Sequence, residues 1–319
     1  MSPKPKPIGE SKMKHFLTLA DLDPKTMRAI LDLAVQIKQA WRDGGNKPYL
    51  QGKVLGMIFQ KPSLRTRVSF DVAMLQLGGN ALYLSPDEIQ LGKRESVADV
   101  ARVVSRYVNV VMARVFGHYD VVELAKYASV PIINGLSDFA HPCQGMADFL
   151  TILEHKGDFA GRKLAYLGDG NNVSTSLLFG AALLGMDFTI ATPRGYELHP
   201  ATWAIGERLA AQTGATITAT YDPAEAATGA DVIYTDTWAS MGQEAEAEKR
   251  RRVFPPFQVN DDKLALAKDD VIVMHCLPAH RGEEITDAVA DGPHSVLFDQ
   301  AENRLHAQKA ILVWALDAA

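Results

Sequence analysis

Only two cysteines, Cys143 and Cys276, occur among 319 residues. That is too few for a disulfide framework, and a reducing cytoplasm is the simplest setting for them. No apolar run approaches the ~20 residues that cross a bilayer. The opening MSPKPKPIGESKMKHF carries lysines but neither an apolar core nor a cleavage pattern, so it does not read as a secretory signal. Excess positive charge is also lacking: the net charge is −5, which argues against a nucleic-acid or acidic-membrane surface. HExxH, paired CxxC and the P-loop are absent, as are Asp and Glu clusters suited to Mg²⁺. No metal dependence is expected.

What is present reads as an ordinary globular protein, 47% hydrophobic and 22% charged. A chain of this length is long for one core, and two domains of about 150 residues are the natural expectation. Strand-like runs are expected at 54–59, 109–113, 130–133, 163–167, 188–191, 216–220, 232–235 and 271–275. Helix-like segments fall between them, at 96–106, 118–128, 173–184 and 200–212. Asp23 before Pro24 reads as a helix start. This alternation predicts an α/β protein with parallel sheets flanked by helices. The helix CQGMADFLTILEHKG ends at Gly157, before a second αβ series. The expected division is therefore 1–150 and 151–300, with a last helix over about 300–319 folding back.

In open parallel sheets, ligands bind beyond the carboxyl ends of the strands. The first such loop, KPSLRTRVSF, follows the apolar run VLGMIF and leads into helical spacing at Val68, Val72, Leu75 and Leu77. Ser63, Arg65, Thr66 and Arg67 thus sit at a helix start, where unpaired N–H groups and the dipole favour an anion. A capped helix with solvated arginines is the plainer explanation, but the clustering favours an anion site. Arg114 ends another apolar run, and His141 and Gln144 flank Pro142 in a loop expected to converge with it.

LGDGNNVSTS superficially resembles a dinucleotide loop but lacks the third glycine of GxGxxG, so a nicotinamide site is weakly supported. Asn171 and Asn172 better suit a ligand with both donors and acceptors. Asp236 emerges after a strand in YTDTWASMGQE, able to hold an ammonium or to cap a helix. The following EAEAEKRRR is most simply a solvated helix face. Cys276 ends a buried strand in VMHCLPAHRGEE. It would serve as a covalent nucleophile only with a low thiol pKa, and His275 is expected to point to the opposite face. Arg304 is expected at the start of the last helix.

Together these loops resemble the aspartate/ornithine carbamoyltransferase family, over about residue 15 to the C-terminus. SLRTR is similar to the family's S-T-R-T-R loop and HPCQ to its H-P-x-Q motif. DGNN, DTWASMGQE, HCLP and AENRLHAQKA are similar to the ornithine branch. Leu64 departs from the family's usual threonine, leaving a backbone N–H but no side-chain hydroxyl.

The resemblance implies transfer of a carbamoyl group from carbamoyl phosphate to the δ-amine of L-ornithine, in arginine biosynthesis, without a cofactor. It implies that domain 1–150 binds carbamoyl phosphate and 151–300 binds ornithine. Ser63, Leu64, Arg65 and Thr66 would hold the phosphate, with Gln90 supplied by a neighbouring subunit of a trimer. Arg114, His141 and Thr66 would polarise the carbamoyl oxygen, Gln144 would orient the amide, and Arg304 would add a contact. Asn172, Asp236, Ser240 and Met241 would bind ornithine. Cys276 and Leu277 would lie beside carbamoyl phosphate and the reacting amine. A non-catalytic anion-binding protein on the same fold is the alternative of a different class.

Overall fold

The computed structural model describes residues 13–239 and 246–319. Strands β1 (Val54–Phe59), β2 (Asn80–Leu84), β3 (Val110–Arg114) and β4 (Ile132–Leu136) form a parallel sheet in the order β2-β1-β3-β4. Strands β5 (Lys163–Leu167), β6 (Asp187–Ala191), β7 (Ile217–Thr220), β8 (Val232–Thr235) and β9 (Ile272–His275) form a second, in the order β7-β6-β5-β8-β9. Helices cover the faces, so the inner strands are buried and read as continuous apolar runs. In β1 only Val54 is partly exposed. This is the expected α/β architecture.

Several local expectations require correction. β2 escapes the sequence pattern because NALYL is a short edge strand whose residues are exposed or half-buried. β4 starts after Pro131, which has no N–H for the ladder, and continues through Asn134 and Gly135, residues that interrupt the apolar run. Asn134 is nonetheless fully buried, its amide donating to the Leu17 carbonyl at 2.9 Å. The helix Leu64–Gln76 buries Thr66, Phe70, Ala73 and Met74, while Val68 and Leu75 face outward at 49% and 71% exposure. The last helix begins at Leu297, so Arg304 lies in its third turn rather than at its start.

The helix Pro142–Lys156 runs without a break through residue 150 and joins the two sheets. The last helix packs along it and along the helices Pro24–Arg42 and Leu64–Gln76, so it returns to the N-terminal sheet. One buried core links these parts, from Leu55 and Met57 of β1 to Leu164 and Tyr166 of β5. The approach of the helices Pro142–Lys156 and Asn172–Leu184 requires Gly180. A Cβ there would fall 2.0 Å from Phe149 Cε2.

Candidate active site

Each sheet reverses its strand order at one point, between β1 and β3 in the first and between β5 and β8 in the second. Ligands of open α/β sheets bind in such crevices. The loops after β1, β5, β8 and β9, with Arg114 at the end of β3, the segment after β4 that carries His141 and Gln144, and the last helix, line one cleft of about 500 Å³.

The first switch point supplies positive charge. Ser63 caps the helix Leu64–Gln76, its Oγ accepting from Thr66 N–H at 3.4 Å. Ser63, Leu64, Arg65, Thr66, Arg114, His141, Gln144 and Arg304 all line the cleft, as does Lys61. Arg304 Nη2 donates to Thr66 Oγ1 at 2.9 Å, and its Nη1 reaches Gln144 Oε1 and, at 3.5 Å, His141 Nε2. Gln144 Nε2 in turn donates to Asp148 Oδ1 at 2.7 Å.

The like charges show in the ionisation of the site. Burial and the neighbouring Arg304 and Arg65 guanidiniums push Arg114 down to about 10. Burial, then Arg304 and Arg114, hold His141 well below the usual imidazole range, so the ring is neutral. The Nε atoms of Arg114 and Arg304 and the Nδ1 of His141 are buried without a partner among the described residues. A cluster of buried cations with unused donors is a site for an oxygen-rich anion.

The second switch point supplies negative charge and amides. Asp236 follows β8 and caps no described helix. Its Oδ2 accepts from Asn171 Nδ2 at 2.8 Å, and its Oδ1 from Thr237 N–H at 2.8 Å and Cys276 Sγ at 3.0 Å. Asn172 Nδ2 donates to the Ser137 carbonyl at 2.7 Å, and Asn172, Asp236, Cys276 and Leu277 line the cleft. Burial and the Asp236 carboxylate push the Cys276 thiol well above its usual range, so it is not a ready thiolate. His275 is fully buried, its Nε2 3.0 Å from Glu284 Oε1.

Not every expected residue meets here. Gln90 lies outside this cleft, in a depression lined by Phe59, Gln60, Leu91 and Phe116, with a left-handed φ of 42°. Ser240 and Met241 lie outside the described residues.

The sequence reading overlooked Lys61 and Arg250. Lys61 was signalled by standing immediately before Pro62 in the anion loop; burial and Arg114 lower its pKa. Arg250 gives no signal in a run of charge. It is buried rather than solvated, and its Nη1 donates to Asp169 Oδ2 and to the Trp238 carbonyl, each at 2.7 Å. Two groups of potential metal ligands also match no metal motif in the sequence: Asp236, His275 and Cys276, and His280, Glu283 and Glu284. The fold brings each of these groups together.

Fold and site thus define a class: an α/β protein that sets an arginine-rich anion pocket of one sheet against a carboxylate-and-amide pocket of another. Family models match both parts. The aspartate/ornithine carbamoyltransferase carbamoyl-P binding domain matches residues 14–154 and the Asp/Orn binding domain matches 160–315. An ornithine carbamoyltransferase of Pyrococcus abyssi is 56% identical over 96% of each chain. The structure of ornithine carbamoyltransferase from Pyrococcus furiosus superposes with a TM-score of 0.92 at 56% identity, covering 94% of this chain and 96% of that one. An anabolic ornithine carbamoyltransferase from Campylobacter jejuni gives a TM-score of 0.90 at 40% identity, covering 96% and 99%. The chain belongs to the aspartate/ornithine carbamoyltransferase family.

Proposed function

We propose that the chain is an ornithine carbamoyltransferase that makes L-citrulline and phosphate from carbamoyl phosphate and L-ornithine, serving arginine biosynthesis. One observation carries this reading. The buried guanidiniums of Arg114 and Arg304 share a cleft with the Asp236 carboxylate, so an anionic donor and an ammonium-bearing acceptor can lie side by side. Relatives that share this architecture at 56% identity bear the same name.

In this reading Ser63, Leu64 N–H, Arg65 and Thr66 hold the phosphate. Arg114, His141 and Thr66 face the carbamoyl oxygen, while Gln144 takes the carbamoyl amide and Arg304 holds Gln144 in place. Asp236 and Asn172 receive the amino-acid end of ornithine, together with Ser240 and Met241. Cys276 and Leu277 border the carbamoyl group and the δ-amine.

The neutral δ-amine attacks the carbamoyl carbon. As that bond forms, the C–O bond to phosphate breaks and the amine's proton passes to solvent or phosphate. Phosphate leaves readily, so the protein's work is positioning and charge stabilisation. Juxtaposing the reactants contributes ~7–11 kcal/mol. The free amine has a pKa of about 10.4, so the rate rises with pH across the neutral range. A thiol held protonated argues against a covalent carbamoyl-cysteine.

A division at residue 150 and a homotrimer with shared sites complete the proposal. The outward Leu64, Val68 and Leu75 of one helix and Leu82 of the edge strand β2 are apolar surface that favours association. Gln90, outside its own cleft, is the residue a neighbour contributes. Mixing inactive Gln90→Ala and Arg114→Gln chains should restore part of the activity if sites are shared, and none if each chain is self-sufficient. A cytoplasmic location accords with two unpaired cysteines.

The direct test is citrulline formation from carbamoyl phosphate with ornithine, aspartate, putrescine and N-acetylornithine side by side. Turnover of ornithine alone supports the reading. Turnover of another amine keeps the anion half and overturns the second-substrate half. Silence with all four favours a binding protein.

A further inference from the structure

The segment after β9 turns back on itself, and its residues His280, Glu283 and Glu284 bring one donor atom each to within 4.8 Å of the others. Glu284 is fully buried, yet only one of its carboxylate oxygens is used. Oε1 accepts from His275 Nε2 at 3.0 Å and from the His280 backbone N–H at 2.5 Å. Among the described residues Oε2 is buried without a hydrogen-bond partner, and His280 Nδ1 stands 3.8 Å from it, too far for a hydrogen bond. Glu283 gives one oxygen to Arg251 Nε at 2.9 Å and keeps a second. A buried carboxylate oxygen left unpaired is costly, and a cation is what would satisfy it.

We propose that His280, Glu283 and Glu284 form a site for a divalent transition-metal ion at the rim of the cleft. An imidazole with two carboxylates suits Zn²⁺ or Co²⁺ rather than Mg²⁺, which prefers oxygen alone. Ligands of such an ion stand about 3.3 Å apart for bonds of ~2.0–2.2 Å, so small side-chain rotations close the site. The two carboxylates balance the ion's charge.

The competing group, Asp236, His275 and Cys276, is already committed. His275 Nδ1 accepts from Leu277 N–H at 2.8 Å, its Nε2 serves Glu284, and the Cys276 thiol donates to Asp236. His280 also lines the cleft beside Leu277 and Pro278, so an ion here would sit next to the second-substrate pocket.

The test is a Co²⁺ titration of the full-length protein, read by visible absorption. The Cys276→Ser variant should bind one ion per chain, with d–d bands and no thiolate charge-transfer band. His280→Ala and Glu283→Gln should each weaken that binding about tenfold or more, while melting like the parent in chelator. Zn²⁺ should displace the Co²⁺. Bands that vanish in Cys276→Ser but persist in His280→Ala would move the ion to the thiol and overturn the proposal. So would the absence of bands in every form, which would leave Glu284 and His280 a simple charge contact.

Discussion

Arg250 Nη1 stands 2.7 Å from Asp169 Oδ2 and 2.7 Å from the Trp238 carbonyl oxygen, with both side chains of the ion pair buried. Asp169 belongs to the loop after β5 that carries Asn171 and Asn172. Trp238 follows Asp236 after β8. One guanidinium therefore ties the loop carrying Asn171 and Asn172 to the loop carrying Asp236, the groups proposed to receive the second substrate. Arg250→Met leaves a buried carboxylate without its cation, a change that costs ~3–5 kcal/mol. The expected kinetic result is a rise of about tenfold in the KM for ornithine, the equivalent of ~1.4 kcal/mol, with the KM for carbamoyl phosphate little changed. Adding Asp169→Asn should recover much of the melting temperature but not the ornithine KM. Equal loss for both substrates would show that Arg250 supports the fold alone.

Arg114 offers the sharpest test of the anion half. It ends β3, its Nε is buried without a partner among the described residues, and burial, then Arg304 and Arg65, lower its pKa. A carbamoyl oxygen gaining charge is the partner that would relieve that crowding. Removing one donor to such an oxygen costs about 10²–10³ in kcat. Arg114→Gln should fall by that amount, with the ornithine KM within about threefold of the parent. A loss confined to KM would assign Arg114 to binding rather than to the transition state.

Cys276 should prove dispensable as a nucleophile. Its thiol is a hydrogen-bond donor to Asp236, and serine can donate to the same oxygen. One net hydrogen bond is worth ~0.5–1.5 kcal/mol, so Cys276→Ser should retain activity within about tenfold of the parent. Alkylation by iodoacetamide should be slow at pH 7. Complete inactivity of the serine variant, or a rapid burst of phosphate without ornithine, would restore the covalent route.

The sequence makes the sheet interiors easy to read, because strands buried on both faces are plain apolar runs, as in β1 and β5. The edge strand β2 and the continuation of β4 were hidden for other reasons: no residue of β2 is fully buried, and in β4 the buried positions 134 and 135 are Asn and Gly, which carry no apolar signal. The loops after β1, β3, β4, β5, β8 and β9 were legible as site material through the rule of strand ends and the mixture of residue types. Pairing across the chain was not. Nothing local joins Arg304 to Thr66 or Arg250 to Asp169, pairs separated by 238 and 81 positions. The outward face of the helix Leu64–Gln76 misled for a related reason, since spacing at Val68 and Leu75 identifies an apolar stripe but not what covers it.

Two buried groups make opposite predictions for stability against pH. Burial and the nearby Lys309 push His306 down to about 3, so the folded ring stays neutral where the unfolded ring, near pKa 6.5, takes a proton. The unfolded chain then binds more protons below pH 6.5, and stability falls as pH drops. Asp148 runs the other way. Burial, outweighing hydrogen bonds from Gln144, Gln300 and Tyr234, pushes its carboxyl up to about 7, so stability falls as pH rises from about 4 to about 7. Relative to the parent, His306→Gln should therefore gain melting temperature as pH is lowered from 7 to 5, and Asp148→Asn as it is raised from 5 to 7. Changes of roughly 2–4 °C, equivalent to about 1 kcal/mol, are expected in each case. The crossing of the two difference curves is the diagnostic feature, because general loosening of the core would lower both variants at every pH. Parallel curves would mean that neither group changes its protonation on folding.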